Sequence, residues 1–276
     1  MHAEIDAKIA ALYPAHADSD DFPPVVFDKI TVDADSQLPP GDRQRLVEML
    51  SGLPGQADPG WLDEIQRAYV AGFLQDRGYF RSDPRVTSET LRTDGAGEHV
   101  ALTVFANEGP QFRMGRLAFR SSDPEIPMAF TRDELESRFY LREGDIFAAS
   151  KIRDTLNALK KLYESQGYID FVATPITEIH ELTGKIDVTL EVDQQKQFRI
   201  DKVVVDTASP EVHAAAATAL APGSVFNLDE VTKFLKDNTA LLPPDMSLDD
   251  VELRRNVKAG TVDITLHLAP CPQLDN

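Results

Sequence analysis

The chain has 276 residues and a formal net charge of −18, from 28 basic and 46 acidic side chains. This surplus of acids argues against nucleic acid or an anionic membrane surface as a partner, because both would be repelled. Hydrophobic residues make up 42% of the sequence, which is enough for ordinary globular cores and argues against wholesale disorder.

The two ends of the chain are unlike the rest. Residues 1–24 carry a short apolar set that predicts at most a brief helix before an acidic, proline-rich linker. This segment lacks the basic flank and apolar core of a secretory signal, so any export signal is expected to lie outside this chain. No apolar run reaches the roughly 18 residues of a membrane-spanning helix. The tail, residues 271–276, holds the single cysteine, Cys271, whose role the sequence does not indicate and which has no partner for an internal disulfide.

The first predicted domain covers residues 25–109. It begins with a strand, VFDKITVD, and continues with a helix from Arg43 to Leu50. A longer amphipathic helix opens at Trp61 and runs to Gly78-Tyr79. Two strands are predicted after it, at about 85–91 and 99–106. The order of elements is therefore β-α-α-β-β.

The second predicted domain, residues 110–194, has the same order. After a strand that starts at Gln111, Thr131 and Glu134 are spaced as a capping box at the start of a helix. A second helix follows the break at Gly144 and ends at Gly167, because glycine adopts a left-handed conformation at little cost. A hairpin closes the domain, and its last strand, KIDVTLEV, alternates apolar and polar residues as a strand with one buried face does.

The third predicted domain, residues 195–270, repeats the second with changes. Its opening Gln197-Phe198-Arg199 restates Gln111-Phe112-Arg113, 86 residues later. Gly223 and Phe226 correspond to Gly144 and Phe147, and the hairpin VELRRNV…TVDITLHL closes the domain. Residues 238–244 replace the Gly-Tyr helix end, so this copy is divergent. We call the three copies the first, second and third repeats.

The repeated order predicts an α+β fold of three tandem βααββ domains. In each, two amphipathic helices cover one face of a three-stranded mixed sheet, since each element buries only one face or stripe. A right-handed crossover brings the last strand beside the first and parallel to it. The middle strand is then left at an edge, where unpaired N–H and C=O groups can accept an extended peptide.

This pattern resembles the POTRA (polypeptide-transport-associated) domains of the outer-membrane barrel-assembly and surface-antigen family. The resemblance is carried by residues 111–192, by Arg77-Gly78-Tyr79-Phe80 and, in part, by the third repeat. It implies a periplasmic protein associated with the outer membrane that binds unfolded outer-membrane proteins, or docks a membrane barrel or other assembly partner, by strand addition. Only seven residues follow Ala269. We therefore expect either a protein of POTRA domains alone, without the barrel, or the soluble part of a longer one.

The candidate binding site is the edge strand of the second repeat. The peptide-binding residues predicted there are Phe171, Val172, Ala173, Thr174, Ile176 and Thr177. Pro175 interrupts the row of donors, and prolines at sheet edges commonly block unwanted pairing. The alternative is therefore a guarded edge that binds nothing.

Other motifs favour structure over chemistry. A turn-plus-core-anchor role, or packing of tyrosine on the sheet, is predicted for the motif residues Gly78, Tyr79, Gly144, Phe147, Gly167, Tyr168, Gly223 and Phe226. The six histidines fall in different repeats and elements, without metal-ligand spacing. No nucleophile elbow or phosphate-binding loop is present. The sequence thus predicts no metal, no cofactor and no catalytic residue.

The leading hypothesis is a non-enzymatic periplasmic array that holds client strands or docks a partner through sheet edges and grooves between domains. One alternative is a structural spacer or adaptor of the cell envelope that binds no client peptide. An enzyme is a further alternative, for which the sequence offers no catalytic constellation.

Overall fold

The computed structural model describes residues 24–53, 55, 60–206 and 209–268. Within this part of the chain it contains three three-stranded sheets, each accompanied by helices. The predicted α+β class and the three βααββ patterns are confirmed. The predicted N-terminal helix and the tail with Cys271 lie outside the described residues.

The first repeat is built on strands β1 (Val25–Val32), β2 (Arg85–Asp94) and β3 (Gly97–Phe105), in the order β1-β3-β2. Strand β1 pairs with β3 in parallel, and β2 pairs with β3 antiparallel, as the crossover argument predicts. Helix α1 (Pro40–Ser51) begins three residues before the predicted start, because Pro40 suits the first helical position.

The second helix of this repeat is composite. It consists of α2 (Trp61–Glu64), a π-helical segment (Ile65–Val70) and α3 (Ala71–Gln75). The sequence predicted a single amphipathic helix and gave no sign of the π-helical segment. Within that segment, the Gln66 side chain accepts a hydrogen bond from Val86 N–H in β2 at 3.2 Å.

The second repeat contains β4 (Arg113–Ser121), α4 (Arg132–Ser137), α5 (Ala149–Glu164), β5 (Val172–His180) and β6 (Lys185–Asp193). Its sheet order is β4-β6-β5. The predicted capping box is confirmed: Glu134 accepts from Thr131 N–H at 2.8 Å, and Thr131 accepts from Glu134 N–H at 3.4 Å. The Thr131 hydroxyl also donates to the Glu134 carboxylate at 2.7 Å, and this bond together with the one from Thr131 N–H lowers the pKa of Glu134. Helix α4 ends at Ser137, and Phe139 and Leu141 beyond it are buried without being helical.

The third repeat contains β7 (Arg199–Asp206), α6 (Pro210–Ala219), α7 (Leu228–Asp237), a 3₁₀ turn (Leu248–Asp250), β8 (Val251–Asn256) and β9 (Thr261–His267). Its order, β7-β9-β8, repeats the topology. Helix α7 ends without glycine: Asn238 keeps a negative φ, and both its N–H and its side-chain amide donate to the carbonyl of Phe234. Leu242 then supplies the buried apolar side chain of the replaced segment.

Each repeat buries one face of its sheet. In β6, the buried residues Ile186, Val188, Leu190 and Val192 alternate with partly exposed ones, as predicted. The first and third repeats each have their own apolar core. At about 25 cal/mol per Å² of apolar surface, such cores supply the main favourable free energy of folding.

By proximity of Cα atoms the chain divides into two compact units, and the division falls inside the second repeat. One unit contains the described residues up to 115 together with 141–151 and 179–186, and the other contains the remaining described residues. The start of the second repeat thus belongs to a unit with the first. The predicted domain boundaries at residues 109/110 and 194/195 remain a proposal.

Candidate functional site: an open sheet edge and two repeat junctions

Strand β5 lies at an edge of its sheet, next to β6. It begins at Val172, one residue after the predicted start, because Phe171 belongs to the core. Phe171 is 6% exposed and stacks on Tyr163 with ring centroids 4.1 Å apart. The backbone of β5 is therefore placed by an aromatic anchor at its start and by the turn at Thr183-Gly184 after its end, where Gly184 has a φ of +61°.

The helix-free face of β5 carries exposed apolar side chains. Val172 is 55% exposed and Ile176 is 42% exposed, and their spacing puts them on the face opposite Phe171. On the same face of the sheet, Arg116 and Arg120 of β4 form ion pairs with Asp187 and Glu191 of β6, at 2.9 and 2.6 Å. The face is therefore charged over β4 and β6 and apolar along β5.

The backbone of β5 is open on its outer side. Within the described part of the chain, the main-chain groups of residues 172–177 form hydrogen bonds only in their own sheet. The comparable edge strand β2 differs, since Gln66 accepts from its Val86 N–H. The first strands of the second and third repeats are also partly covered, through bridges from Arg113 to Ile146 and from Arg199 to Val225.

Pro175 indicates which main-chain groups face outward. Proline has no N–H, so within a sheet its nitrogen belongs on the unpaired side. Because the direction of the peptide groups alternates along a strand, Ala173, Thr177 and Ile179 turn their N–H groups to that same side. Of the predicted peptide-binding residues, Ala173 and Thr177 therefore offer outward donors, while Val172, Thr174 and Ile176 hold the ladder to β6.

The glycine motifs lie at the junctions between repeats. We call the meeting of Gly78 with residues 111–113 the first junction, and that of Gly167 with residues 197–199 the second. Gly78 and Gly167 have φ values of +84° and +81°, as helix-ending glycines do. A Cβ at either position would lie 2.6 Å from the carbonyl oxygen of Phe112 or Phe198, so only glycine fits.

The repeated Gln-Phe-Arg sequence makes the same bonds at both junctions. Phe112 and Phe198 donate their N–H to the carbonyls of Gly78 and Gly167 at 2.8 Å. The side chains of Gln111 and Gln197 donate at 2.9 Å to the carbonyls of Arg77 and Gln166, just before these glycines. The sequence revealed the repetition of these residues but not that each triplet joins one repeat to the next.

The Gly-x-x-Phe turns complete each junction. Gly144 and Gly223 have positive φ, and no atom lies within 4 Å of a Cβ added at either, so their role is the turn itself. Arg113 and Arg199 donate to the carbonyls of these glycines at 2.8 and 2.9 Å.

The phenylalanine of each turn is a core anchor. Phe147 and Phe226 are buried, and their N–H groups donate to the carbonyls of Phe112 and Phe198 at 3.1 and 2.9 Å. Because the same carbonyl also lies against the junction glycine, one peptide group connects the helix end of one repeat with the turn of the next.

The tyrosines of the Gly-Tyr motif are packed to different degrees. Tyr79 is buried, and burial together with the nearby charge of Glu108 raises its pKa. Tyr168 is half-buried, and its ring packs edge-to-face with that of Tyr163, with the ring centroids 5.8 Å apart. Burial raises the pKa of Tyr163 itself to about 12.

Within the described residues, an ion pair is also found at each junction, and the two pairs have opposite polarity. At the first, Arg81 contacts Glu181 at 2.6 Å. At the second, Asp170 contacts Arg255 at 2.6 Å. Arg81 and Asp170 each stand three residues after the junction glycine, and their partners come from the closing hairpin of the following repeat.

Two features of the junctions were missed by sequence reasoning. Asp76 accepts a hydrogen bond from Ser150 N–H at 2.7 Å, in the first turn of α5. The Asp145 carboxylate, which is closer to α5 in the sequence, accepts instead from Arg142 N–H at 2.8 Å. Beside Asp76, an open groove of about 340 Å³ includes Asp42 and Ile146 in its lining. An acid that precedes a helix-ending glycine would have been the only sequence signal for this cap.

A charged cluster lies in the first repeat. His99 of β3 is buried; its Nδ1 lies 2.7 Å from Asp28 of β1 and its Nε2 lies 3.2 Å from Asp94 of β2. Arg92 also contacts Asp28, at 2.5 Å. The hydrogen bond to Asp28 is the main cause of a raised His99 pKa, and the pKa values of both aspartates are lowered.

The described residues hold neither a metal-binding cluster nor a membrane-spanning helix. Within the described ranges, no group of histidine, cysteine and acidic side chains has a geometry that would hold a metal ion. Over the same residues, no helix has the length and apolar character required to cross a membrane.

Comparison with known proteins agrees with this architecture. Residues 128–195 match the family model "POTRA: Surface antigen variable number repeat". The chain is 27% identical over 141 residues to the outer membrane protein assembly factor BamA of Neorickettsia risticii (strain Illinois). That alignment covers 51% of this chain and 18% of the relative, so the chain corresponds to a minor part of it.

A solved structure extends the match in fold. The crystal structure of POTRA domains 3–5 of Haemophilus influenzae BamA superimposes with a TM-score of 0.57 at 17% identity, covering 88% of this chain and 95% of that one. At this identity the likeness concerns the fold alone. The chain is therefore a tandem array of POTRA-fold repeats, in which residues 128–195 match the surface-antigen repeat model of the POTRA family.

Proposed function

We propose that the chain is a non-enzymatic periplasmic binding arm that takes up unfolded outer-membrane protein strands by strand addition at β5. The observation that carries this proposal is the open edge over residues 172–177, flanked on one face by the exposed side chains of Val172 and Ile176. Main-chain groups supply affinity in such binding, and side chains on alternate positions supply selectivity. The likeness to an outer membrane protein assembly factor supports clients of this class and a location at the outer membrane.

A hydrogen-exchange experiment on the full chain tests this proposal. An uncharged peptide of about eight residues with alternating valine and threonine serves as the client probe. We expect slower amide exchange at Ala173, Thr177 and Ile179, because their N–H groups become donors to the added strand. Exchange of the Val86 amide in β2 should not change, since Gln66 already accepts from that N–H.

A proline variant supplies the matched test. Thr177→Pro removes an outward donor while leaving the ladder to β6 in place, so it should weaken peptide binding severalfold. The same substitution at the outer end of β2, Thr93→Pro, is the control and should leave binding unchanged. Absence of protection at β5 in the unmodified chain, or equal binding by Thr177→Pro, would overturn the proposal.

A second candidate function is that of a spacer between envelope components. It is favoured by the two junctions, where the same backbone and side-chain bonds recur and join successive repeats. In this case the chain would bind no client peptide and would be recovered with one stoichiometric partner. Protection of β5 by the probe peptide would exclude a role as spacer alone.

A further inference from the structure

We infer that Pro175 divides the open edge of β5 into two short pairing tracts, so that the site accepts amphipathic strand segments and releases them readily. This inference rests on the function proposed above and adds the class of segment and the residue that limits its binding. Among the strands of the described residues, β5 alone contains a proline.

The missing donor falls in the middle of the outward-facing row. Ala173 offers one N–H on one side of Pro175, and Thr177 and Ile179 offer two on the other. A strand added along the whole edge therefore leaves one of its own carbonyls opposite the proline ring without a donor. Because each hydrogen bond contributes modestly to net affinity, the loss shortens the lifetime of the complex without abolishing binding.

Side chains on the two faces of β5 select the pattern of the incoming segment. On the helix-free face, Val172 and Ile176 flank Thr174, and an added strand places every second side chain beside them. Apolar residues at these positions would cover the exposed side chains. On the other face, Ala173, Pro175 and Thr177 are small or short, and they accept small or polar neighbours. The preferred segment thus alternates apolar and polar residues.

Electrostatic repulsion further restricts the class of segment that the β5 edge can bind. The chain carries a net charge of −18. An acidic segment would be repelled, while a neutral or basic one would not. The segment best suited to this edge is therefore a short, alternating and non-acidic strand.

Replacement of the proline tests the inference directly. In Pro175→Ala the edge gains the missing N–H, and the alternating probe peptide should bind about fivefold more tightly, mainly through slower dissociation. The measurement is a titration of the ¹⁵N-labelled full chain followed at the amides of β5. The control is Pro124→Ala, the same change at an exposed loop position of the same repeat, which should leave affinity unchanged.

A second variant tests side-chain selection. Val172→Thr combined with Ile176→Thr keeps the backbone edge but removes its apolar face. It should lower the preference for the alternating peptide over a scrambled peptide of equal composition by severalfold, and amides of β6 report whether the sheet remains intact. Unchanged preference would overturn the selection by side chains.

The outcomes separate the two proposals. If the unmodified chain binds and Pro175→Ala binds no more tightly, the division by Pro175 is wrong and the proposed function stands. If only Pro175→Ala binds, the proline is a stronger barrier than proposed and the edge is guarded in the natural sequence. If neither binds, strand addition at β5 and this inference both fail.

Discussion

At the scale of single residues, His99 of β3 is held by charged side chains from the two strands that flank its own, β1 and β2. Both of its ring nitrogens face carboxylates, of Asp28 and Asp94. A neutral imidazole has only one N–H, so one carboxylate would face a lone pair. The arrangement therefore favours the protonated ring, although Arg92 next to it opposes that charge.

This cluster predicts a pH-dependent contribution to stability. Because the folded-state pKa of His99 is raised, the stabilisation is complete below the ordinary value of 6.5 and is lost as pH rises through the folded-state pKa. The lowered pKa values of Asp28 and Asp94 set the acidic limit of this stabilisation. Their contribution to stability is present above pH 3.8, the ordinary pKa of aspartate, and is lost as the pH falls through their folded-state pKa values. The cluster should thus stabilise most between about pH 4 and 6.5.

An NMR titration of the His99 ring measures the raised pKa on which this contribution to stability depends. Asp28→Asn removes the main cause of the raised pKa, and the titration midpoint should move down toward its usual value. Asp35→Asn, the same change at an exposed position in the following loop, should leave it in place. An unaltered midpoint in Asp28→Asn would show that this carboxylate does not hold the proton.

At the scale of elements, helices α5 and α7 occupy equivalent places but are capped differently. Helix α7 is capped by its own Asn227, which accepts from Asp229 N–H at 2.9 Å. The corresponding position before α5 is Ala148, whose side chain has no acceptor. Asp76 of the first repeat fills that role for α5. The second repeat thus depends on the first to satisfy its helix terminus.

We therefore expect substitution of Asp76 in the first repeat to destabilise a helix of the second repeat. Asp76→Ala should destabilise the chain by about 1 kcal/mol, as loss of an N-terminal cap does, and should speed amide exchange in the first turn of α5. Adding Ala148→Asn to this variant should recover much of the lost stability by supplying a local cap. Asn227→Ala is the control, since it should affect only α7. If Asp76→Ala leaves amide exchange in α5 unchanged, the Asp76 cap does not contribute to the stability of that helix.

How much of these elements could be predicted depends on the range of the interactions. The strands, the capping box at Thr131 and the turn at Gly144 follow from local periods and local bonds, and the sequence contains all of them. The cap by Asp76 joins residues 74 positions apart, so only the folded chain reveals it. The same holds for the candidate site: an edge strand follows from the predicted topology, whereas its open backbone depends on what other segments cover.

At the scale of the whole molecule, the junction glycines are expected to matter more than the turn glycines. Gly78 and Gly144 both have positive φ, so alanine at either costs about 1–2 kcal/mol in backbone strain. At Gly78 the added Cβ would also lie 2.6 Å from the Phe112 carbonyl oxygen, while at Gly144 it meets nothing within 4 Å. The difference between the two variants isolates the contact at the first junction.

Denaturant unfolding and hydrogen exchange check this expectation. Gly78→Ala should lower the free energy of unfolding by more than Gly144→Ala, and it should speed exchange of the Phe112 amide, which donates to Gly78. Gly167→Ala and Gly223→Ala repeat the comparison at the second junction. Equal losses for both members of a pair would mean that the junction adapts to the extra methyl group.

The opposite polarity of the junction ion pairs bears on how such a chain can evolve. If the third repeat followed the first directly, its Arg255 would approach Arg81, and two like charges would meet. Such surface pairs contribute only about 0.2–1 kcal/mol each, so they bias the arrangement without dictating it. A gene duplication or deletion that changes the order of the repeats would therefore lose this small contribution unless the charges were exchanged as well. The opposite polarities thus slightly favour the present order of the repeats, in which each of these charges meets an opposite one.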